Sequence, residues 1–586
     1  MQHCKALRTR TWFAISLILG FVMVGFGCTS GGSNTDFIYE GTDTITILRY
    51  NGAGGDVVIP SQIKGKPVTG IGEFAFALCD SLTGITIPDT VTSIGNNAFY
   101  ICNNLTSVNI PAGVTCLGDK EGEANYAFVF CDSLTAINVD AANTMYSSED
   151  GILYNKAKTT LIQYPARKTA TAFTLPNGVT KISDFAFYAC DSLPGITIPD
   201  IVTSIGDRAF NKCASLTAIN VDAGNAAYSS QNGVLYNKNR TALITFPPGK
   251  TETTFAIPDG VTDIGDSAFI RCANLTGVII PNSVPSIGVR AFQDCTSLTS
   301  VTIPNSITSI EHGAFFGCTS LTGITIPDSV TSIGKEVFYN CTSLTAITID
   351  TANTVYISED GVLYNKAKTA LIQYPAGKTA AVFTIPDSVT SIEYEAFDHA
   401  GLTSVIIPNS VTSIGHTAFS NSGLTSITIP NSVTSIEGMA FYNCASLTNV
   451  TIPDSITEIE VGVFADCTSL TGITIPDSVT IIKNDAFGGC TSLASVTIPN
   501  SVTSIESFAF TRCTNLESVT FEGAIASDNF GIIYSYGIFS PFDGDLRDRY
   551  LTGGTRTYTT TAPVTESSKW AMQESILKKL IRMALL

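Results

Sequence analysis

The residues with most chemical potential in this 586-residue chain are its cysteines. Thirteen of the sixteen occupy the same position of a recurring pattern: Cys79, Cys102, Cys131, Cys190, Cys213, Cys272, Cys295, Cys318, Cys341, Cys444, Cys467, Cys490 and Cys513. In an exported chain such a set would ordinarily suggest disulfides. Equivalent positions of stacked units, however, point the same way about 4.8 Å apart, whereas a disulfide needs two Cβ atoms facing each other at about 3.8 Å. The spacing therefore predicts a ladder of small buried thiols. Cys116 falls off this register and is given no role. There is no Cys-x-x-Cys, and His3, His312, His399 and His416 lack ligand spacing, so no metal is expected. The three later histidines and the recurring Glu393, Glu395, Glu437, Glu460 and Glu506 read as solvated surface, since no calcium-loop pattern frames the acids. Nucleophile-elbow, zincin, phosphate-loop and dinucleotide signatures do not occur. The expectation is a non-enzyme with no catalytic residue and no cofactor.

What positions these residues is a repeat. Pro281, Pro304 and Pro327 are 23 residues apart, as are Pro430, Pro453, Pro476 and Pro499, and the cysteines keep the same step. One unit runs from Leu298 to Ser320, on the template LxxIxIPxxVxxIGxxAFxxCxx. Val301 and Ile303 alternate with polar Ser300 and Thr302, which marks a strand. Pro304 has no N–H to donate and stops it. Ile307 and Ile310 suggest a second short β segment. Ile310, Ala314, Phe315 and Cys318 then recur at near-helical spacing, which predicts a single helical turn facing inward. Such a unit buries its apolar side only against copies of itself, with the strands in a parallel sheet. The Ala-Phe landmark occurs fifteen times, from Phe76 to Phe510. Two units are one residue short and replace the cysteine region with Gly401 and Gly423, which permit a tighter turn.

The repeat explains an odd composition. Only 14% of residues are charged, against about a quarter in typical soluble domains. Hydrophobic residues make up 44% and the net charge is −18. Disorder is excluded, because disordered chains are poor in apolar residues. An acidic body also argues against nucleic-acid binding.

Three insertions share one design. Strands ending in Asp140, Asp222 and Asp350 lead to Tyr146, Tyr228 and Tyr356, and then to apolar runs around an Asn-Lys turn, predicted as β-hairpins. These modules cover about 140–172, 222–254 and 350–382. The remaining organisation is read as a signal peptide at 1–27, a tether at 28–36, an N-terminal cap at 37–70, the solenoid at 71–521, and a C-terminal cap and tail at 522–586. Lys5, Arg8 and Arg10 before the apolar run from Trp12 to Phe26 form the export pattern, with an uncleaved membrane anchor as the alternative. The last twenty residues form an amphipathic, basic segment. Gly27-Cys28 resembles a bacterial lipoprotein signal, which implies lipidation at Cys28 and a membrane connection through that anchor alone.

The repeat template resembles the 23-residue leucine-rich repeat of BspA-like, or Treponema pallidum-type, surface proteins. That resemblance implies a β-rich leucine-rich repeat solenoid. It further implies an exported adhesion protein of the cell surface or outer membrane that binds host matrix proteins such as fibronectin or fibrinogen, host cells or other bacteria. A monomer working through many weak contacts is the expected form. A surface coat without a dedicated ligand is the alternative. Two candidate surfaces follow from the residues. Thr302, Thr325, Thr428, Thr451, Thr474 and Thr497 point outward from the sheet. The module tyrosines Tyr154, Tyr236 and Tyr364 are candidate aromatic anchors, since aromatics dominate interface hot spots; the alternative is that they pack the hairpins onto the solenoid.

Overall fold

The 23-residue period sets the backbone path. In a computed structural model, which describes residues 36–118, 127–525 and 557–559, each repeat makes one coil of a β-solenoid. Most coils contribute a strand of three to five residues to one parallel ladder and a two-residue strand to a second. Ser426–Thr428 and Ser435–Ile436 are one such pair. The register is fixed: Ile427 pairs with Val450, and Ile414 with Ile436. Inward Leu, Ile, Val and Phe side chains fill the space between the ladders and are almost wholly buried.

Contacts divide the described residues into two units. The first runs to Thr253 and includes Gly260–Asn274; the second holds Thr254–Asp259 and the residues from Leu275 on. In the first, strands Phe37–Glu40 and Ile45–Tyr50 pair antiparallel, and the latter continues in parallel into Lys66–Ile71. In the second, seven strands from Val382–Thr384 to Ser518–Phe521 form one uninterrupted sheet, closed by antiparallel Thr557–Thr559.

The Ala-Phe segment differs from expectation. No helix forms among the described residues; the Ala-Phe segment is a chain of turns. Around Phe441, the N–H groups of Met439, Phe441 and Asn443 donate to the carbonyls of Val461, Val463 and Ala465 in the next coil. Those of Ala440, Tyr442 and Cys444 donate to Glu437, Met439 and Phe441 in their own coil. A helix would keep every donor within its own segment. The alternation requires left-handed residues two before and two after the phenylalanine, here Met439 (φ 57°) and Asn443 (φ 53°). Those residues prohibit a helix while preserving the spacing that suggested one.

The insertions are larger than two-stranded hairpins. In the first, Tyr146–Glu149, Ile152–Asn155 and Thr160–Gln163 form three antiparallel strands, and the last joins the second ladder beside Lys181–Ile182. The hairpin tip packs against the preceding sheet strand. A Cβ on Gly151 would lie 2.8 Å from that of Ala136; the same clash arises at Gly233 with Ala218 and Gly361 with Ala346, at 2.9 Å. All three glycines have positive φ, so both space and conformation demand glycine there.

Candidate interaction surface

The parallel ladder directs Thr302, Thr325, Thr428, Thr451, Thr474 and Thr497 outward, and all six are exposed. The last four lie in register on the uninterrupted sheet: Thr428 opposite Thr451, Thr451 opposite Thr474, and Thr474 opposite Thr497. Their neighbours on that face are Ser426, Asn449, Gly472 and Ser495, so this part of the face is uncharged. Threonine suits it because its branched side chain fits a pleated strand. Aliphatic residues interrupt the column at Ile279 and Ile406, which are 61% and 53% exposed. A different set of threonines serves the fold. At the coil corners Thr425 Oγ1 donates to the Thr403 carbonyl at 3.2 Å, and Thr448 Oγ1 to that of Thr425 at 3.0 Å. A hydroxyl committed to the neighbouring coil is less free for a partner, which separates the corner column from the face column.

The module tyrosines are not at the surface. Tyr154, Tyr236 and Tyr364 are only 1–2% exposed and belong to the core, which corrects the expectation that they anchor a ligand. Burial pushes all three phenols above their ordinary pKa. The middle strand of each module turns this residue inward, because both neighbouring strands and the adjoining coils cover it. The modules share a polar hub instead. Asn353 is fully buried. Its Nδ2 donates to the carbonyls of Pro327 and Val330, at 3.0 and 2.9 Å. Its Oδ1 accepts from the N–H groups of Val355 and Tyr356, at 2.9 and 2.8 Å. Asn143 and Asn225 repeat this arrangement. The recurring Asn three residues before Tyr146, Tyr228 and Tyr356 was the available sequence signal.

The repeat cysteines from Cys102 to Cys513 are free and buried, and Cys116 is free and half-buried. Cys79 departs from the expected ladder. This first member of the column, with no earlier repeat cysteine beneath it, is disulfide-bonded. The free thiols have a structural task. Cys318, Cys341, Cys467 and Cys490 each donate to the carbonyl of the phenylalanine in the preceding coil, at 3.2 Å. Burial pushes the Cys341 thiol up to about 12 and drives Cys318, Cys467 and Cys490 well above the usual thiol range. Such thiols are poor nucleophiles, since the thiolate is the reactive form.

The histidines depart from the solvated-surface reading. His312 Nε2 lies 3.2 Å from Glu336, His399 Nδ1 lies 2.5 Å from Asp398, and the His416 ring stacks on Tyr394 at 5.5 Å. Among the described residues no group of three or more His, Cys, Asp or Glu side chains could hold a metal ion. No helix there is long and apolar enough to cross a membrane. Cys28 and the basic C-terminal segment lie outside the described residues.

The chain matches the profile of the BspA type leucine-rich repeat region in six copies, over residues 58–169, 163–253, 245–370, 376–491 and 457–532. Among solved structures it is similar to a leucine-rich cell surface protein from Faecalibacterium prausnitzii A2-165, with 29% identity over 84% of this chain and 95% of the other, at a TM-score of 0.39. The pneumococcal vaccine antigen PcpA is 19% identical over 68% of this chain and 95% of its own, at 0.33. The Treponema pallidum leucine-rich repeat protein is 24% identical over 53% of this chain and 90% of its own, at 0.14. No curated protein matches the chain.

Proposed function

Because the chain belongs to the BspA-type leucine-rich repeat family, we propose that it is an exported, lipid-anchored surface protein that adheres to other proteins through repeated weak contacts. The observation that carries this reading is the in-register, uncharged column Thr428, Thr451, Thr474 and Thr497 on seven uninterrupted strands. A flat hydroxyl-bearing face of this kind lacks the aromatic and arginine anchors of a tight interface. It instead repeats one modest contact in register, and multiple copies on a cell convert such contacts into avidity. The partners proposed are host matrix proteins such as fibronectin or fibrinogen, or surface proteins of host cells or other bacteria. Cys28 would carry the lipid, and the tether after it would hold the solenoid clear of the membrane.

The test compares immobilised fibronectin, fibrinogen and albumin as targets for the purified chain without its signal. Replacing Thr428, Thr451, Thr474 and Thr497 together by glutamate leaves the core untouched, because all four side chains are exposed. The reading expects matrix binding above the albumin level and its loss in the quadruple variant. Equal binding to all three targets would sink it. Intact surface display with no adhesion defect on deletion would instead assign the chain a coat role.

A further inference from the structure

The first and third inserted modules each separate two coils along the chain, yet turns on either side of each touch directly. Across the first module the bridge is aromatic with one ion pair. Phe130 packs edge-on against Tyr188 at 4.4 Å, and Lys212 Nζ lies 2.7 Å from Asp132. Across the third module it is built from ionisable groups. Glu336, before the module, accepts from the Tyr394 hydroxyl beyond it, at 3.3 Å. Tyr339 packs edge-on against His399 at 5.6 Å.

We propose that the cluster around Glu336 and Glu395 is a proton-sensitive clasp across the third module, closed while the buried Glu395 carboxyl holds its proton and loosened as pH rises and strips it. Three carboxyl groups meet there with unequal partners. Glu336 has Arg290 at 3.4 Å and His312 at 3.2 Å, and Asp398 has His399. Glu395 is 5% exposed, sits in a left-handed conformation (φ 56°), and forms no ion pair with a cation among the described residues. The other groups facing the cluster are Lys335, whose ammonium stands 5.1 Å over the Tyr394 ring, and the phenol of Tyr339. From the next coils come His416, stacked on Tyr394, and Glu437, which accepts from the His416 N–H.

The direction follows from these groups. Glu395 sets the sense. Burial first, then Glu336 and Asp398, push its pKa well above the usual carboxylate range. A group raised in this way contributes its full stability below the ordinary carboxylate value and loses it as pH climbs toward the raised one. His416 opposes the trend. Burial lowers its pKa, so acid favours release at that one ring.

Hydrogen exchange on the full chain at pH 5.5 and pH 8, with labelling times scaled for the intrinsic rate, reads this directly. Protection at residues 336–340 and 394–399 is taken as a ratio to the first-module bridge at 130–132 and 188–190, where the clasp has no histidine counterpart. The ratio is expected to fall about tenfold or more between the two pH values, the equivalent of one pKa unit on one group. Glu395→Gln should retain protection at pH 8. A wild-type ratio that stays flat overturns the proposal, whether or not the variant folds. A pH dependence unchanged in folded Glu395→Gln overturns it equally.

Discussion

Phe441 tests the central column of the solenoid. Its ring is fully buried and lies parallel to Phe419 at 5.2 Å and nearly parallel to Phe464 at 5.4 Å. Its carbonyl accepts from both the Cys444 N–H and the Cys467 thiol. Truncating a buried phenylalanine to alanine costs about 3–5 kcal/mol, depending on how far the site collapses. Collapse here is resisted by stacked rings on both sides, which places Phe441→Ala toward the upper end. Phe441→Leu retains an apolar side chain of similar size but forfeits two aromatic contacts, each worth about 0.5–1.5 kcal/mol, so about 1–3 kcal/mol is expected. Solenoid stability is a sum of coil and neighbour terms. The damage should therefore be local: hydrogen exchange should accelerate in the coils around Phe419, Phe441 and Phe464 and stay unchanged around Phe292. Guanidinium unfolding by circular dichroism should show an early, partial transition. The reasoning fails if Phe441→Leu is as stable as wild type, or if Phe441→Ala loosens every coil equally.

Three shorter tests address other devices. Ser267 is buried in a left-handed conformation (φ 57°), and its hydroxyl has no hydrogen-bond partner. Ser267→Gly relieves about 1–2 kcal/mol of backbone strain, part of which the greater freedom of the unfolded chain cancels; calorimetry should show a higher Tm, and a lower one refutes the strain argument. Asn353→Ala strands the buried Val330 carbonyl and the N–H groups of Val355 and Tyr356, at about 1–3 kcal/mol for each that finds no replacement; proteolysis within 350–382 should quicken, and unchanged resistance would show that the hub is dispensable. Aromatic disulfide reagents should label the ladder thiols only after denaturation, and non-reducing peptide maps should show no bond between consecutive ladder cysteines; such a bond would refute the ladder.

Much of the architecture was legible because side chains that meet in the core must repeat with the coil. Leu298, Val301, Ile303, Phe315 and Cys318 announced both ladders and the phenylalanine column in one unit. The Ala-Phe turn was misread for a physical reason. Ala314, Phe315 and Cys318 fall on one face whether the backbone is a helix or an alternation of left- and right-handed residues. Glycine, the usual signal of left-handed backbone, fills those positions at Gly313, Gly317, Gly462 and Gly489, whereas Arg290, Glu336, Phe185 and Ile101 fill others. Hydrogen bonds to the next coil hold these residues where propensity alone would not. The candidate surface was half legible. Period two puts Thr451 and Thr474 outside a sheet that has one buried face. The tyrosines carried no such rule, because a three-stranded insert with its own packing decides which side of each strand is covered. The histidine cluster was invisible for a topological reason, since Glu336 and Tyr394 are 58 residues apart and meet only because the module loops out between them.

The alternating backbone bonds also determine how the molecule bears load. Every second N–H of the Ala-Phe segment is held by the next coil and by nothing else in its own. A pull transmitted through the ends of the chain would therefore strip coils one at a time from an exposed edge, rather than rupture the whole at once. Each released coil of 23 residues pays out about 80 Å of extended chain. The chain would yield in a sequence of small steps, while coils still stacked kept their threonine face intact.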